Sequence, residues 1–156
     1  PMISSPDFDF SFSGLKTAVL YYLKSKNYLQ QNKMRPHLKM LREVLPEICY
    51  EFQEAIVDVL VSKTIRAAKQ YKVKTVLLGG GVAANMRLRE QLVDTMNSEL
   101  PIIDCILPAA EYTTDNAAMI AAAGYFVAQK KQFTPWQKLE VDPNWELGQK
   151  FRPISR

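Results

Sequence analysis

The sequence has few of the residues from which self-contained metal and disulfide sites are built. Its two cysteines, Cys49 and Cys105, are far apart and form no CxxC pair, which excludes a disulfide framework and a cysteine-based zinc cluster. Its one histidine, His37, excludes an HExxH metalloprotease and a metal site made only of this chain's histidines. We therefore expect reduced thiols, a cytoplasmic location, and His37 in a solvated loop.

Long hydrophobic runs are also missing. The longest nearly unbroken apolar run, residues 117–128, is shorter than the roughly 20 residues that a membrane-spanning helix needs. No charged-then-apolar leader begins the sequence, so neither a membrane nor secretion is expected. The 156 residues, 47% hydrophobic and 23% charged, instead have the composition of one globular domain. Because the chain begins with Pro1 and reaches a strand-like run within a few positions, we expect a fragment of a longer protein.

Acidic residues are absent between Lys16 and Arg42. The seven basic residues of this stretch exceed the net charge of the whole chain, which is +4. Because tyrosines are interleaved among them, the stretch favours contact with the phosphates and bases of a nucleic acid. A solvated helical face and loop is the alternative. The candidate contact residues are Lys24, Lys26, Lys33 and Arg35.

The first half of the sequence predicts a strand followed by two helices. Alternating aromatic and polar residues predict a half-buried strand over Asp7–Phe12. Ser13 is expected to cap a helix that extends from Leu15 to about Lys26. A second, longer helix is expected to begin at Pro46, where a missing N–H costs least, and its apolar face extends from Ile48 to Ala67.

The second half predicts a β-α-β-α order, which is typical of a parallel sheet. Val73–Leu78 is a continuous apolar run and predicts a strand buried on both faces. A helix is expected next, marked by Leu88, Leu92 and Met96. Ile102–Ile106 predicts a second strand, and residues 113–116 are expected to cap an alanine-rich helix that ends near Gln129. An irregular tail is expected over residues 130–156.

Gly79–Ala84 reads GGGVAA and lies between a predicted strand and a predicted helix. Glycines allow the backbone to approach a ligand, and free N–H groups at a helix start favour an anion, so the segment predicts nucleotide binding. A tight turn without a ligand is the alternative. The segment is no P-loop, but it fits the lax dinucleotide pattern GxGxxA, with Asp104 as the ribose-binding acid. An NAD(P)-binding domain is therefore a rival interpretation.

Polar residues follow both predicted strands. Asn85 stands at a helix start, where its amide either caps the helix or contacts a ribose or base. Asp115 stands before the last helix and is either a cap or a carboxylate facing a ligand. Because the carboxyl ends of parallel strands meet at one edge of the sheet, we expect both residues at that edge.

Four ordered segments resemble one protein family. They are FSFSGLKTAV at Phe10–Val19, FQEAIVDVL at Phe52–Leu60, GGGVAANMRLRE at Gly79–Glu90 and TTDNAAMIAAAGY at Thr113–Tyr125. These segments are similar to the C-terminal half of the tRNA N6-adenosine threonylcarbamoyltransferases, formerly called O-sialoglycoprotein endopeptidases or glycoproteases. The resemblance implies an α/β lobe of the actin-like ATPase (ribonuclease-H-like) architecture, with a largely parallel sheet and a helical N-terminal part. Residues 1–156 would then form the C-terminal lobe of a longer two-lobe protein.

The resemblance also implies an activity and its components. Family members transfer a threonylcarbamoyl group from its adenylate to an adenosine beside the tRNA anticodon, and they act with a non-catalytic paralogue and a small ATPase. By correspondence, Asn85, Gly80 and Gly81 would contact the adenylate. Asp115 would ligate a divalent metal, iron or zinc, whose other ligands belong to a paired-histidine motif that this sequence lacks.

Two departures from the family pattern lie near the implied site. Thr113 stands where a cysteine is common, and Ala117 where a glycine is frequent, but neither change removes an implied ligand. The protease of the older family name is excluded, because the sequence has no nucleophile, base and orienting group in combination. We assign no general base. The chain alone is expected to fold, to bind metal weakly or not at all, and to transfer nothing.

Overall fold

The computed structural model describes residues 2–28 and 34–139, with side chains described except at residues 34–41. Four α-helices and two strands lie in these ranges: α1 Phe12–Ser25, α2 Met34–Tyr71, β1 Thr75–Leu77, α3 Met86–Glu99, β2 Asp104–Ile106 and α4 Ala117–Gln129. The chain divides into two compact units, Pro1–Asp115 and Asn116–Arg156. Helices and a parallel sheet are both present, as the sequence predicts.

Helices α2 and α3 form the core of the first unit, because each has apolar side chains four residues apart along one face. The buried residues of this cluster are Val57, Val61, Ile65, Leu88, Leu92 and Met96. Polar pairs also join the helices, from Gln53 with Asn85 near one end to Lys69 with Glu99 near the other. The partners advance together along both helices, so α2 and α3 run side by side in one direction. The predicted helix at Leu88, Leu92 and Met96 is confirmed.

Strands β1 and β2 are parallel, with Thr75 opposite Asp104 and Leu77 opposite Ile106. The predicted β-α-β-α order is confirmed. The prediction that the first strand is buried on both faces is wrong. Alternate residues of a strand point to opposite faces, and the helical core of this unit covers the face that includes Val76. Leu77, on the other face, is 73% exposed.

The strand predicted over Asp7–Phe12 is also wrong, because α1 begins at Phe12 and Ser11 is its N-cap. The Ser11 hydroxyl oxygen accepts a hydrogen bond from the Gly14 N–H at 3.0 Å, so Ser13 is not the cap. Before the helix, the Asp7 carboxylate accepts from the Asp9 N–H at 3.1 Å. This local turn competes with extended backbone, and it overrides the alternating pattern.

Helix α2 does not begin at Pro46 as predicted, but at Met34, with Pro46 inside it. Proline removes one helical hydrogen bond, and the helix continues through it because the preceding residues include good helix formers such as Met40, Leu41 and Arg42. The loop predicted at His37 is therefore wrong, since the backbone there is helical.

The second unit contains α4, which begins as predicted. Asn116 is its N-cap, and the Oδ1 atom of Asn116 accepts a hydrogen bond from the Met119 N–H at 2.9 Å. A 3₁₀ turn, Trp136–Lys138, follows in the predicted tail, and residues 140–156 lie outside the described part of the chain. Among residues 2–28 and 34–139, none of the helices combines the length and the hydropathy of a membrane span.

Candidate functional site

The glycine turn, residues 79–81, follows β1 at the carboxyl edge of the sheet and leads into a 3₁₀ turn, Gly81–Ala84. Gly80 has φ 86° and ψ 172°, a conformation that side-chain-bearing residues rarely adopt. A Cβ atom added to any of the three glycines would meet no atom within 4 Å. The turn is therefore open on its side-chain face, as a backbone that binds a ligand requires.

Asn85 links this turn to α3, and its side chain has two partners. The Oδ1 atom accepts a hydrogen bond from the Leu88 N–H at 3.0 Å, so the predicted capping role is confirmed. The Nδ2 atom donates to Gln53 Oε1 on α2 at 3.2 Å. An amide nitrogen carries two protons, and no hydrogen bond within the described residues uses the second. Capping and ligand contact are therefore compatible at Asn85.

Helix α2 supports α3 beside Asn85 through an ion pair. Arg87 donates from Nε and Nη2 to the two carboxylate oxygens of Glu54, at 2.7 and 2.8 Å. The guanidinium lowers the pKa of Glu54, and the carboxylate in turn raises the pKa of Arg87. Sequence reasoning missed Gln53 and Glu54. The available signal was their polarity next to the apolar residues of the FQEAI segment.

Arg89 joins the two loops at the carboxyl edge of the sheet. Its Nε atom donates to the Ala83 carbonyl oxygen at 2.6 Å, and its Nη2 atom donates to the Pro108 carbonyl oxygen at 2.7 Å. Ala83 belongs to the loop after β1, and Pro108 to the loop after β2. We call these two contacts the Arg89 bridge. No pattern of spacing in the sequence indicates them.

Asp115 lies at the end of the loop that follows β2, and it is exposed. Because Asn116 caps α4, the alternative that Asp115 is the cap is wrong. Within the same loop, Thr113 is buried, and its hydroxyl donates to the Ala110 carbonyl oxygen at 2.7 Å. The structure gives no group of three or more His, Cys, Asp or Glu side chains placed to hold a metal ion, as far as the chain is described.

Asp104, the acid required by the dinucleotide interpretation, lies at the wrong end of its strand. It is the first residue of β2 and pairs with Thr75, the first residue of β1. The glycine turn follows the last residues of β1, at the opposite edge of the sheet. A ribose-binding acid should instead lie where the pyrophosphate-binding turn lies. The register therefore counts against an NAD(P)-binding domain.

The candidate tRNA-contacting residues are described only in part. Lys24 and Lys26 are exposed on or beside α1, and the Lys26 Nζ atom lies 5.9 Å from the centre of the Tyr22 ring. Lys33 lies outside the described residues. Arg35 is within α2, but its side chain is not described.

Comparison with known proteins assigns the family. The sequence model of the TsaD family, described as tRNA N6-adenosine threonylcarbamoyltransferase, matches residues 1–122. The chain belongs to this family. The four segments that resemble it in the sequence therefore identified it correctly.

Curated relatives agree with this assignment. A protein named tRNA N6-adenosine threonylcarbamoyltransferase from Geobacillus thermodenitrificans is 52% identical over 118 residues, which is 75% of this chain and 31% of the relative. Proteins of the same name from Listeria welshimeri and Thermosipho melanesiensis are 48% and 40% identical, over 79% and 94% of this chain and 33% and 39% of the relatives, respectively. The chain thus spans about a third of the length of the relatives it matches.

Proposed function

We propose that residues 1–156 are the C-terminal lobe of a tRNA threonylcarbamoyltransferase with the actin-like ATPase architecture, and that this lobe forms one wall of its adenylate site. The observation that carries the proposal is the placement of two loops at one sheet edge. The first loop holds the open glycine turn and Asn85, and the second ends at Asp115. The family assignment supplies the reaction, and the parallel register supports this edge as its location.

In this proposal, the adenylate lies against the glycine turn. The backbone at Gly80 and Gly81 can approach it closely, because no side chain intervenes there. The second Nδ2 proton of Asn85 donates to the ribose or the base. Gln53 and the capping hydrogen bond fix the orientation of that amide, so little conformational freedom is lost when the adenylate binds.

Asp115 would supply one ligand to the family's divalent metal, iron or zinc. Its exposed carboxylate suits that role, but one carboxylate does not make a site, and the described residues offer no cluster that completes it. The remaining ligands would belong to the other lobe. When bound, such an ion supplies Lewis-acid polarisation of a carbamoyl or phosphate oxygen.

In the reaction, the residues of this lobe orient the adenylate, and none of them is assigned as a general acid or base. The exocyclic amine of the tRNA adenosine attacks the carbamoyl carbon, the bond from that carbon to the adenylate phosphate oxygen breaks to release AMP, and the amine loses one proton to water. The glycine turn and Asn85 hold the adenylate as the leaving group while the tRNA approaches. Lys24 and Lys26, with Lys33 and Arg35, would contact tRNA phosphates. The accessory paralogue and small ATPase would act with the complete enzyme.

Asn85→Ser in the complete two-lobe enzyme is the direct test. Serine still caps a helix, but it lacks the amide nitrogen that donates to Gln53 and, in this proposal, to the adenylate. We expect the melting temperature to stay close to wild type and the affinity for AMP to fall by about 1–2 kcal/mol, or roughly 5- to 30-fold. Unchanged AMP affinity would show that Asn85 caps α3 and does not contact the adenylate. Binding of NAD that depends on Asp104 would instead favour an NAD(P)-binding domain.

The chain alone provides a second test. We expect it to fold, and to show no tight iron or zinc binding in calorimetric titration, because one monodentate ligand does not hold such an ion against water. We also expect no transfer from preformed threonylcarbamoyl adenylate, since a single wall neither excludes water nor orients the adenylate. Stoichiometric metal binding abolished by Asp115→Ala, or turnover by the chain alone, would contradict the two-lobe account.

A further inference from the structure

Arg89 is the residue that connects the two loops of the proposed site. Its planar guanidinium presents donors in a fixed fork, and it donates to two backbone carbonyl oxygens, of Ala83 at 2.6 Å and Pro108 at 2.7 Å. Because the acceptors are backbone atoms, the bridge constrains the path of each loop. Ala83 itself is only 1% exposed, so the residue that accepts the first hydrogen bond is held by its packing.

The Arg89 bridge differs from the hydrogen bonds that hold Asn85. The Asn85 amide is oriented by Gln53 and by the Leu88 N–H, and neither hydrogen bond involves Arg89. The second loop has its own internal hydrogen bond, from Thr113 to the Ala110 carbonyl oxygen. Each loop therefore has hydrogen bonds of its own, and the Arg89 bridge joins the two loops beyond the last contact of the strands, the hydrogen bond from the Leu78 N–H to the Ile106 carbonyl oxygen.

We propose that Arg89 is a positioning residue that sets the placement of Asn85 relative to Asp115. This inference rests on the proposed function, in which Asn85 faces the adenylate and Asp115 the metal. Removal of the bridge leaves the adenylate bound by the first loop but misplaces it with respect to the second. Transfer is sensitive to such an error, because a shift of about 1 Å in a reacting group can cost roughly 100-fold in rate.

The kinetic test compares Arg89→Met, Arg89→Lys and wild type in the complete enzyme. Methionine keeps most of the side-chain bulk and makes neither hydrogen bond, whereas lysine keeps the charge and can reach one carbonyl. We expect Arg89→Met to lower kcat by up to roughly 100-fold while KM for the adenylate changes by less than about 3-fold. Arg89→Lys should fall between Arg89→Met and wild type. The control, Lys69→Met, removes the ion pair with Glu99 that joins α2 to α3, away from the two loops, and should leave kcat unchanged.

Hydrogen exchange on the 156-residue chain tests the bridge without any activity. Arg89→Met should speed amide exchange in residues 82–85 and 107–115 together, and should leave exchange at Leu92 and Met96 unchanged. Unchanged exchange in either loop, or an unchanged kcat in Arg89→Met, would overturn the proposal. A KM increase that matches the kcat decrease would also overturn it, because the variant would then bind the adenylate less well. If the wild-type enzyme transfers nothing, the proposed function fails, while the exchange result still decides whether the bridge exists.

Discussion

Two irregular segments of the first unit are held by cationic side chains, and the two arrangements differ in burial and in charge. Lys63, on α2, is 3% exposed and donates from Nζ to Ser5 Oγ at 2.8 Å, to Asp7 Oδ1 at 3.0 Å and to the Asp9 carbonyl oxygen. Arg66 adds a hydrogen bond to the Asp7 carbonyl oxygen. We call this group the Lys63 cluster. The Arg89 bridge is half-buried, and its two carbonyl acceptors are neutral.

The difference separates a contact that stabilises the fold from one that positions a site. A buried ammonium without partners is costly. Lys63 therefore needs the acceptors of the N-terminal segment, and that segment in turn is held in place by Lys63. The Arg89 acceptors are two neutral carbonyl oxygens, one in each loop, and a neutral acceptor that loses its donor costs less than a buried charge without partners. Breaking the Lys63 cluster should therefore lower the free energy of unfolding, and breaking the Arg89 bridge should lower kcat.

Lys63→Met should produce the largest decrease in stability. It removes the donor to two backbone carbonyl oxygens and to the Asp7 carboxylate, and the expected decrease is about 1–3 kcal/mol in the free energy of unfolding. Urea unfolding measures it. The matched control is Lys69→Met, whose ion pair with Glu99 is about half exposed and should contribute ~0–1 kcal/mol. Equal decreases in the two variants would remove the distinction between the Lys63 cluster and an ordinary surface pair.

Gln53→Leu should weaken adenylate binding without removing the Asn85 cap. The variant deletes the acceptor that fixes the Asn85 amide, and we expect an affinity decrease of about 0.5–1.5 kcal/mol, measured as AMP binding to the complete enzyme. Gln91→Leu is the control, because Gln91 donates to Asp58 at 2.8 Å further along the same pair of helices. If both variants bind AMP equally well, Gln53 has no role in orienting Asn85.

Acid should weaken the Lys63 cluster and leave the Arg89 bridge unaffected. Hydrogen bonds from Lys63, then Ser5, lower the pKa of Asp7. The contribution of the Asp7 carboxylate to the free energy of unfolding is therefore fully present above its unfolded-state pKa of about 3.9. It is lost as the pH falls through the lower folded-state pKa. The stability difference between wild type and Asp7→Asn should be constant from neutral pH to about pH 5 and should shrink below about pH 4. A difference that persists undiminished at lower pH would contradict an ionised Asp7 as the partner.

Neutralising the acid-free stretch should have the smallest effect on this lobe. Replacement of Lys24, Lys26, Lys33 and Arg35 by glutamine should leave folding and AMP binding unchanged. The slope of log tRNA affinity against log salt should become less steep by up to about 0.7–0.9 for each phosphate that is no longer neutralised. An unchanged slope would assign the stretch to a solvated face.

Local patterns in the sequence predicted the second half of the first unit better than the first half. Leu88, Leu92 and Met96 repeat at helical spacing, and their helix formed as expected. The strand before it also formed, although one of its faces is exposed. The alternation over Asp7–Phe12 failed because a local turn at Asp7 and Asp9 replaces extended backbone, and Lys63, which holds that turn, is more than 50 residues away in the sequence. Neither spacing nor propensity indicates such a contact, and the same is true of Arg89 with Pro108, 19 residues apart.

At the site itself, residue types and their order suggested candidates, but the sequence did not give the register of the strands. Asn85 and the glycines were predicted as site residues from their place between a strand and a helix. The sequence could not place Asp104 at the amino edge of β2, because that required the register with β1. It also could not show that Asn116, and not Asp115, caps α4, since adjacent Asp and Asn are both good caps.

In the proposed function, an adenylate binds at the carboxyl edge of the sheet. Titration of the ¹⁵N-labelled chain with AMP, followed by NMR, tests it most directly, because the Asn85 side-chain amide and the backbone N–H groups of Gly80 and Gly81 give separate signals. We predict concentration-dependent shifts of these three signals, with the N–H signals of Asp104 and Asp7 unmoved. Shifts centred on Asp104, or an Asn85 amide signal that stays fixed while other residues respond, would show that AMP does not bind at this edge.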